Sequence, residues 1–357
     1  MTITIDDARR AIAAKTKPLG SLGQLEDVAV RIAVLQQTLQ PAIERARVCV
    51  FAADHGVTDE GVSAYPRVVT REMVRNFDRR GAAINVIARS SGADVDVIDV
   101  GVDCDDDRRT QRLPRVRRGS RNMVNEAAMT HDELDAALNV GTDAARAAHA
   151  DGVQALGLGE MGIGNTTAAA ALLAALASHD ASETIGRGTG IDDAGLERKR
   201  VVVIRALEFH ASRPTGPRET LRALGGLEIA AITGAALEAS RIGVAVLVDG
   251  FISTVGVLAA LHIALAESEV RLAELTRALF FAHRSAERGH RLALEACAQF
   301  VDCDARPLLD LGMRLGEGSG AALALPILRA AAAVMKDMAT FASAEVSAGE
   351  HAEEHGA

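Results

Sequence analysis

Apolar and polar residues follow two rhythms along the chain. In "LEDVAVRIAVLQQTL" (25–39) apolar side chains recur at intervals of three and four, which predicts a helix. Ahead of it, Pro18 and Gly20 in "KTKPLGSLGQLE" break the preceding segment, and Ser21 is placed to cap the new helix. The rhythm then changes. "RVCVFAADHG" (47–56) is a short β-branched run that stops at polar residues, as a buried strand does. Four more such runs follow, "ADVDVIDVGVD", "GVQALGLGEMG", "IGVAVLVDG" and "ALFFAHRSAERGH". Between the runs lie helix-like stretches, including "GAAINVIARS", "HDELDAALNVGTDAARAAHA" and "TAAAALLAALAS". Finally, "GAALALPILRAAAAVMKDMATFASAEV" (320–346) reads as one long helix, with Pro326 tolerated near its start.

This alternation predicts right-handed βαβ units and an α/β fold, a mainly parallel Rossmann-like sheet flanked by helices. Residues 41–290 are assigned to a large α/β domain holding a nucleotide site. Residues 1–40 and 291–357 are assigned to a small helical subdomain from both chain ends. In open parallel sheets ligands bind beyond the carboxyl ends of the strands. That rim would carry Asp54, His55, Asp103, Glu160, Asp249 and His283. The tail "SAGEHAEEHGA" is polar and expected to fray. Its His351 and His355 do not make a metalloprotease motif, because Ala352 stands where the glutamate is required.

Composition narrows the function. With 3% aromatic residues and no Trp, the core must be built from Ala, Val, Leu and Ile, and stacking surfaces for nucleic-acid bases are not expected. A net charge of −9 disfavours nucleic acid and anionic membranes as partners. The basic run Arg108, Arg109, Arg112, Arg115, Arg117, Arg118 and Arg121 follows the acidic Asp103 to Asp107, and the two are expected to neutralise each other in a solvated loop. Four cysteines, Cys49, Cys104, Cys297 and Cys303, show no zinc or disulfide spacing. The N-terminus lacks a signal-peptide apolar region. Apolar runs of about a dozen residues fall short of the roughly 20 of a membrane helix. A soluble, reduced, cytoplasmic protein is expected.

Three glycine-framed turns carry the candidate chemistry. "GEMGIGNTT" (159–167) joins a strand to a helix, where backbone N–H groups and the helix dipole can hold a phosphate. Asn165 stands where a triphosphate loop has its lysine, and the dinucleotide fingerprint lacks its third glycine. A monophosphate held by backbone and by the Thr166 and Thr167 hydroxyls fits; a plain strand–helix turn is the alternative. In "GRGTGIDDAGLERKR" (186–200), glycines bracket Thr189, and Lys199 either reaches the phosphate or is a surface lysine on an Asp-capped helix starting near Asp192 or Asp193. In "LGEGSGA" (315–321), Glu317 between two glycines is either a poorly solvated base or an exposed turn glutamate.

Taken together, "TKPLGSLGQLE", "AADHGVTDEGVSAYPRVVTREMVRNF", "RGAAINVIAR", "GEMGIGNTT", "GRGTGIDDAGLERKR", "VLVDGFIST", "HRSAERGH" and "LLDLGMRLGEGSGAALALPILRAAAAVMKDMATF" resemble the nicotinate-nucleotide–dimethylbenzimidazole phosphoribosyltransferases, in order, from about residue 15 to 345. One departure is Arg80, where the family has a glycine. The resemblance implies transfer of the phosphoribosyl group of nicotinate mononucleotide to 5,6-dimethylbenzimidazole, giving α-ribazole 5′-phosphate and nicotinate in cobalamin nucleotide-loop assembly. It implies Glu317 as general base, with Glu160, Gly162, Gly164, Asn165, Thr166, Lys199 and Ser285 around the mononucleotide. Ser63 and Tyr65 would lie in the benzimidazole pocket, and the assembly would be a homodimer. Nicotinate leaves a pyridinium as a neutral ring nitrogen, so neither metal nor acid is expected. The benzimidazole must lose a ring proton, which calls for a carboxylate.

Overall fold

The computed structural model describes residues 2–105, 113–188, 190–211 and 216–347. Asp106, Asp107, Arg108, Arg109, Arg112, Thr189 and the tail with His351 and His355 lie outside the described residues. Five strands form one sheet: β1 (Ala46–Ala53), β2 (Asp94–Gly101), β3 (Ala155–Met161), β4 (Ala245–Val248) and β5 (Leu279–Phe281). Every pairing is parallel, and the order is β2-β1-β3-β4-β5. From β1 the chain steps outward to β2, then crosses back to the other side of β1 for β3. That reversal makes the tips of β1 and β3 the switch point where an open α/β sheet receives its ligand.

Strand side chains alternate between faces, so each face has its own core. Phe51, Leu156, Leu158, Val246, Val248 and Phe281 pack with the His131–Ala150, Leu227–Arg241 and Phe251–Glu267 helices. On the opposite face Ala155, Ala245, Leu247 and Phe280 join residues from both chain ends, including Ile12, Ile32 and Leu328. Those ends supply the Ile5–Ala13, Gln24–Leu35 and Ser319–Asp337 helices, whereas the Arg288–Cys297 helix packs in the first core. Scarce aromatics are offset by close approach. A Cβ on Gly141 or Gly234 would collide with backbone of the facing helix, so His131–Ala150 and Leu227–Arg241 touch backbone to backbone.

Three local expectations are corrected by tertiary contacts. Ser21 does not cap a helix: the helix starts at Gln24 behind Gly23, and the Glu26 carboxylate accepts from the Leu22 N–H (3.0 Å) while Lys17 holds it at 2.8 Å. The long terminal helix stops at Asp337, because the chain start captures the next residues. Lys15 donates to the Met338 carbonyl (2.6 Å), and the Thr16 N–H donates to that of Ala339 (3.0 Å). By length and composition this helix could cross a membrane, but more than half of its apolar window is buried in the protein. Among the described arginines of the basic run, Arg118 does pair in solvent with Asp105 of the acidic run (2.7 Å), but the other three turn elsewhere. Arg115 pairs with Asp99 at 2.6 Å, and Arg117 and Arg121 with Glu133, largely shielded from solvent.

Candidate active site

The polar strand tips gather on one rim, and most are buried: Asp54, His55, Glu160, Asp249 and His283. Asp103 is exposed, and its N–H donates to Asp54 (2.7 Å), which ties β2 to β1. His55 and Glu228 form a fully buried pair at 2.6 Å.

At the end of β3 the chain turns through Gly162, Ile163 and Gly164 into the Asn165–Ala177 helix. Gly164 has φ +96°, and a Cβ there would come within 2.7 Å of Thr58 Cγ2, so only glycine lets the turn lie this low. Several turn amides are already engaged. The Ile163 N–H donates to Thr70 Oγ1 (3.1 Å), that of Asn165 to the Gly162 carbonyl (3.2 Å), and that of Thr167 to the Gly164 carbonyl (3.0 Å). The Thr167 hydroxyl is enclosed without a partner. Donor capacity toward a ligand therefore centres on Thr166 and Lys199.

Lys199 is 1% exposed and not a surface residue. Its helix, Asp193–His210, is capped by Asp192, whose side chain accepts from the Gly195 N–H (2.7 Å). From there the ammonium donates to Thr166 Oγ1 (2.8 Å) and to the Gly186 carbonyl (3.2 Å). An ammonium has three donors, which leaves one for a ligand oxygen. Burial pushes the Lys199 pKa down to about 8, and the charge of Glu287 acts against that fall.

Glu317 lies in a row of three left-handed residues: Gly316 at φ +84°, Glu317 at +63° and Gly318 at +81°. For a residue with a Cβ this conformation costs roughly 1–2 kcal/mol. Packing enforces it. A Cβ on Gly316 would collide with Glu160 Oε1 and one on Gly318 with Val48, while one on Gly159 would meet the Glu317 backbone at 2.7 Å. Asp249, just beyond β4, pins the same turn by accepting from the N–H groups of Gly318 (3.2 Å), Gly320 (2.6 Å) and Ala321 (3.0 Å). Glu317 is 5% exposed, and its Oε2 accepts from the Ile84 N–H at 3.4 Å. Burial raises its pKa, the Ile84 N–H opposes the rise, and the charge of Asp249 adds to it.

Glu160 faces the same space from β3 and accepts from the Asn165 side-chain amide. Burial, then Asp249 and Glu228, push its pKa up to about 8, against the Asn165 hydrogen bond. One strand thus links two unlike ends. Gly159 and Glu160 abut the Glu317 turn, and six residues after Glu160 Thr166 meets Lys199. Ser285 is buried beyond β5, where its N–H donates to His290 Nδ1 (2.8 Å). His290 must therefore carry its proton on Nε2, which lies 3.0 Å from Thr254 Oγ1. Ser63 and Tyr65 lie elsewhere, on an open cavity of about 620 Å³ lined by Thr58, Asp59, Ala64, Pro66 and Arg67. That cavity meets the other residues where Thr58 touches Gly164. Tyr65 is half exposed, and its N–H donates to Ser63 Oγ (3.1 Å).

A phosphoribosyltransferase family model matches residues 3–346. The nicotinate-nucleotide–dimethylbenzimidazole phosphoribosyltransferase of Pseudomonas putida is 48% identical over 96% of this chain and 94% of its own length. The enzyme of the same name from Pseudomonas aeruginosa is 50% identical over 93% and 91%. The crystal structure of CobT from Thermus thermophilus superposes with a TM-score of 0.88 at 46% identity, covering 97% of this chain and 99% of that one. The chain belongs to the nicotinate-nucleotide–dimethylbenzimidazole phosphoribosyltransferase family. It is a phosphoribosyltransferase, with that family's five-stranded parallel α/β fold.

Within this phosphoribosyltransferase, two residues near the site had no role legible in the sequence. Asp249 showed only as a polar strand tip, and its three N–H partners lie some seventy residues downstream. Glu287 sat unassigned within "HRSAERGH", although its Oε2 accepts from the Gly188 N–H at 3.4 Å. Among the described residues no group of three or more His, Cys, Asp or Glu side chains is placed to hold a metal ion.

Proposed function

We propose that the enzyme transfers the phosphoribosyl group of nicotinate mononucleotide to 5,6-dimethylbenzimidazole, releasing nicotinate and α-ribazole 5′-phosphate, with Glu317 as general base. The observation that carries this is the placement of two ends on β3: the enclosed Glu317 turn against Gly159, and the Lys199–Thr166 pair after the strand. A substrate with an anionic phosphate at one end and a proton to lose at the other fits that polarity. The phosphate oxygens take the free Lys199 donor and the Thr166 hydroxyl, with Gly162, Gly164, Asn165 and Ser285 shaping the mononucleotide site. The benzimidazole nitrogen attacks the ribose C1 as the pyridinium bond breaks and nicotinate departs as a neutral ring. The second ring N–H then passes its proton to the Glu317 carboxylate.

Burial and its acidic neighbours push the Glu160 pKa up to about 8, which favours its protonated form. The bound pyridinium brings a positive charge that favours its carboxylate form, which then faces the charge developing on the ribose. Ser63 and Tyr65 are proposed to line the acceptor side. A cytoplasmic homodimer, as the family resemblance implies, is the proposed working form, and light scattering on the purified chain tests the dimer. Incubation with nicotinate mononucleotide and dimethylbenzimidazole tests the activity. α-Ribazole 5′-phosphate should form with wild type and nearly vanish with Glu317→Gln; equal rates in the two proteins would remove Glu317 from the mechanism.

A further inference from the structure

Lys199 presents a physical problem that its two hydrogen bonds do not solve. A buried ammonium tends to shed its proton, and a neutral amine would bind a phosphate poorly. On its own helix, Arg200 pairs with Glu197, and Arg198 points to the Gly61 carbonyl. In the adjoining loop, Arg187 pairs with Asp193. From the segment before the Glu317 turn, Arg314 donates to the Gly188 carbonyl (3.1 Å). Across Thr166, Asn165 is tied to Glu160. The carboxylate whose charge acts on the ammonium is that of Glu287, at the start of the Arg288–Cys297 helix.

Glu287 is 9% exposed and packs against the Gly186–Gly188 loop. Its Oε2 accepts from the Gly188 N–H and lies so close to Gly186 that a Cβ there would collide with it. Gly186 is the residue whose carbonyl receives the Lys199 ammonium. The Glu287 N–H donates in turn to Ser285 Oγ (3.2 Å), which joins β5 to the same assembly. One side chain thus braces the loop that holds Lys199 and supplies a negative charge behind it.

We propose that Glu287 is a positioning residue for phosphoribosyl transfer: it keeps Lys199 charged and fixes the Gly186–Gly188 loop around the phosphate of the substrate. This rests on the reading of Lys199 as the phosphate partner. It also explains why a carboxylate is tolerated near an anion site. Its Oε2 is engaged by the Gly188 N–H, and its charge favours the ammonium form of Lys199.

The test is the affinity for nicotinate mononucleotide, measured by calorimetry between about pH 6 and pH 10, where an amine of lowered pKa titrates. Glu160 titrates in the same range, so all proteins compared carry Glu160→Gln. In that background, Glu287→Gln should move the alkaline loss of affinity to lower pH by about one unit. Glu287→Asp should recover part of the shift, because it restores the charge but not the full reach. The acceptor KM, measured with Glu160 intact, should not change. An unmoved alkaline limb in a folded Glu287→Gln protein would overturn the proposal, as would a shift that Glu287→Asp leaves uncorrected. Lys199→Met separates the two layers. If it leaves mononucleotide affinity unchanged, the phosphate-site reading itself fails. If it weakens affinity while Glu287→Gln leaves the limb in place, only the role of Glu287 fails.

Discussion

The two ends of the crevice share one physical cause and feel it with opposite signs. At the Glu317 end three acidic side chains crowd together, and burial raises the pKa of Glu160, Asp249 and Glu317. At the Lys199 end burial lowers an ammonium to about 8. Desolvation disfavours whichever form is charged. Yet the proposed chemistry needs the charged form at both ends, a carboxylate to take a proton and an ammonium to hold a phosphate. Each end is therefore held near the edge of its working state, and kcat/KM should be bounded on both sides. It should fall as pH drops through the raised values of Glu317 and Glu160, where the base and the ribose-facing carboxylate become protonated. It should fall again above about 8, where Lys199 loses its proton.

The largest effect is expected at the carboxylate end. Glu317→Gln keeps the shape of the side chain but cannot accept the proton, and kcat should drop by roughly 10²- to 10⁴-fold with little change in mononucleotide KM. Glu317→Gly separates chemistry from strain. It should abolish turnover as well, yet relieve a left-handed residue and stabilise the fold by about 1 kcal/mol, read from denaturant unfolding. At the opposite end, Lys199→Met removes a charge-assisted hydrogen bond. The mononucleotide KM should rise roughly ten- to a hundredfold, with the acid limb of the pH profile unmoved. If both variants changed the same kinetic constant, the division of labour between the ends would be wrong.

Asp249→Asn should act more gently, and on one limb only. It removes a negative charge that helps raise both Glu317 and Glu160, so both would stay ionised to lower pH and the acid limb should move down. The alkaline limb should stay in place, because Asp249 is not among the charges acting on Lys199. The same change weakens the anchor of the Glu317 turn, since a neutral amide oxygen replaces a carboxylate accepting three N–H groups. A fall in kcat of about tenfold at the optimum is expected. An acid limb that rose instead would show that the anchor, and not the charge, sets the Glu317 proton affinity.

Much of this site was legible because its devices are local. The His131–Ala150 helix coincides with the polar–apolar pattern that announced it, and each strand ends within two residues of the Asp, Glu, His or Gly that closes its apolar run. The glycines beside Glu317 marked a place where only residues without a Cβ could pass. Long-range decisions were not legible. Periodicity does not say that β2 lies outside β1, nor that Lys15 would stop the last helix at Asp337. For Lys199 the residues alone favoured a surface lysine, and its burial shows otherwise. Glu287 and Asp249 were hidden for a similar reason: their partners are backbone amides far along the chain, and an amide leaves no mark in a sequence.

The smallest change that still tests the comparison is Thr166→Val. Valine keeps the volume of threonine and loses the hydroxyl, so Lys199 would retain only the Gly186 carbonyl among its two present acceptors. One neutral hydrogen-bond partner is worth about 1 kcal/mol, so the mononucleotide KM should rise about fivefold, with kcat and the acid limb unchanged. The informative step is to combine it with Asp249→Asn. If the two ends are coupled only through the rigid strand β3, their effects on kcat/KM should multiply, because distant sites without shared partners add in free energy. A combined loss well above or below the product would mean that the proton-taking end and the phosphate-holding end report to each other. The natural conduit would then be Glu160, whose side chain lies against Gly316 on one side and receives a hydrogen bond from Asn165, the neighbour of Thr166, on the other.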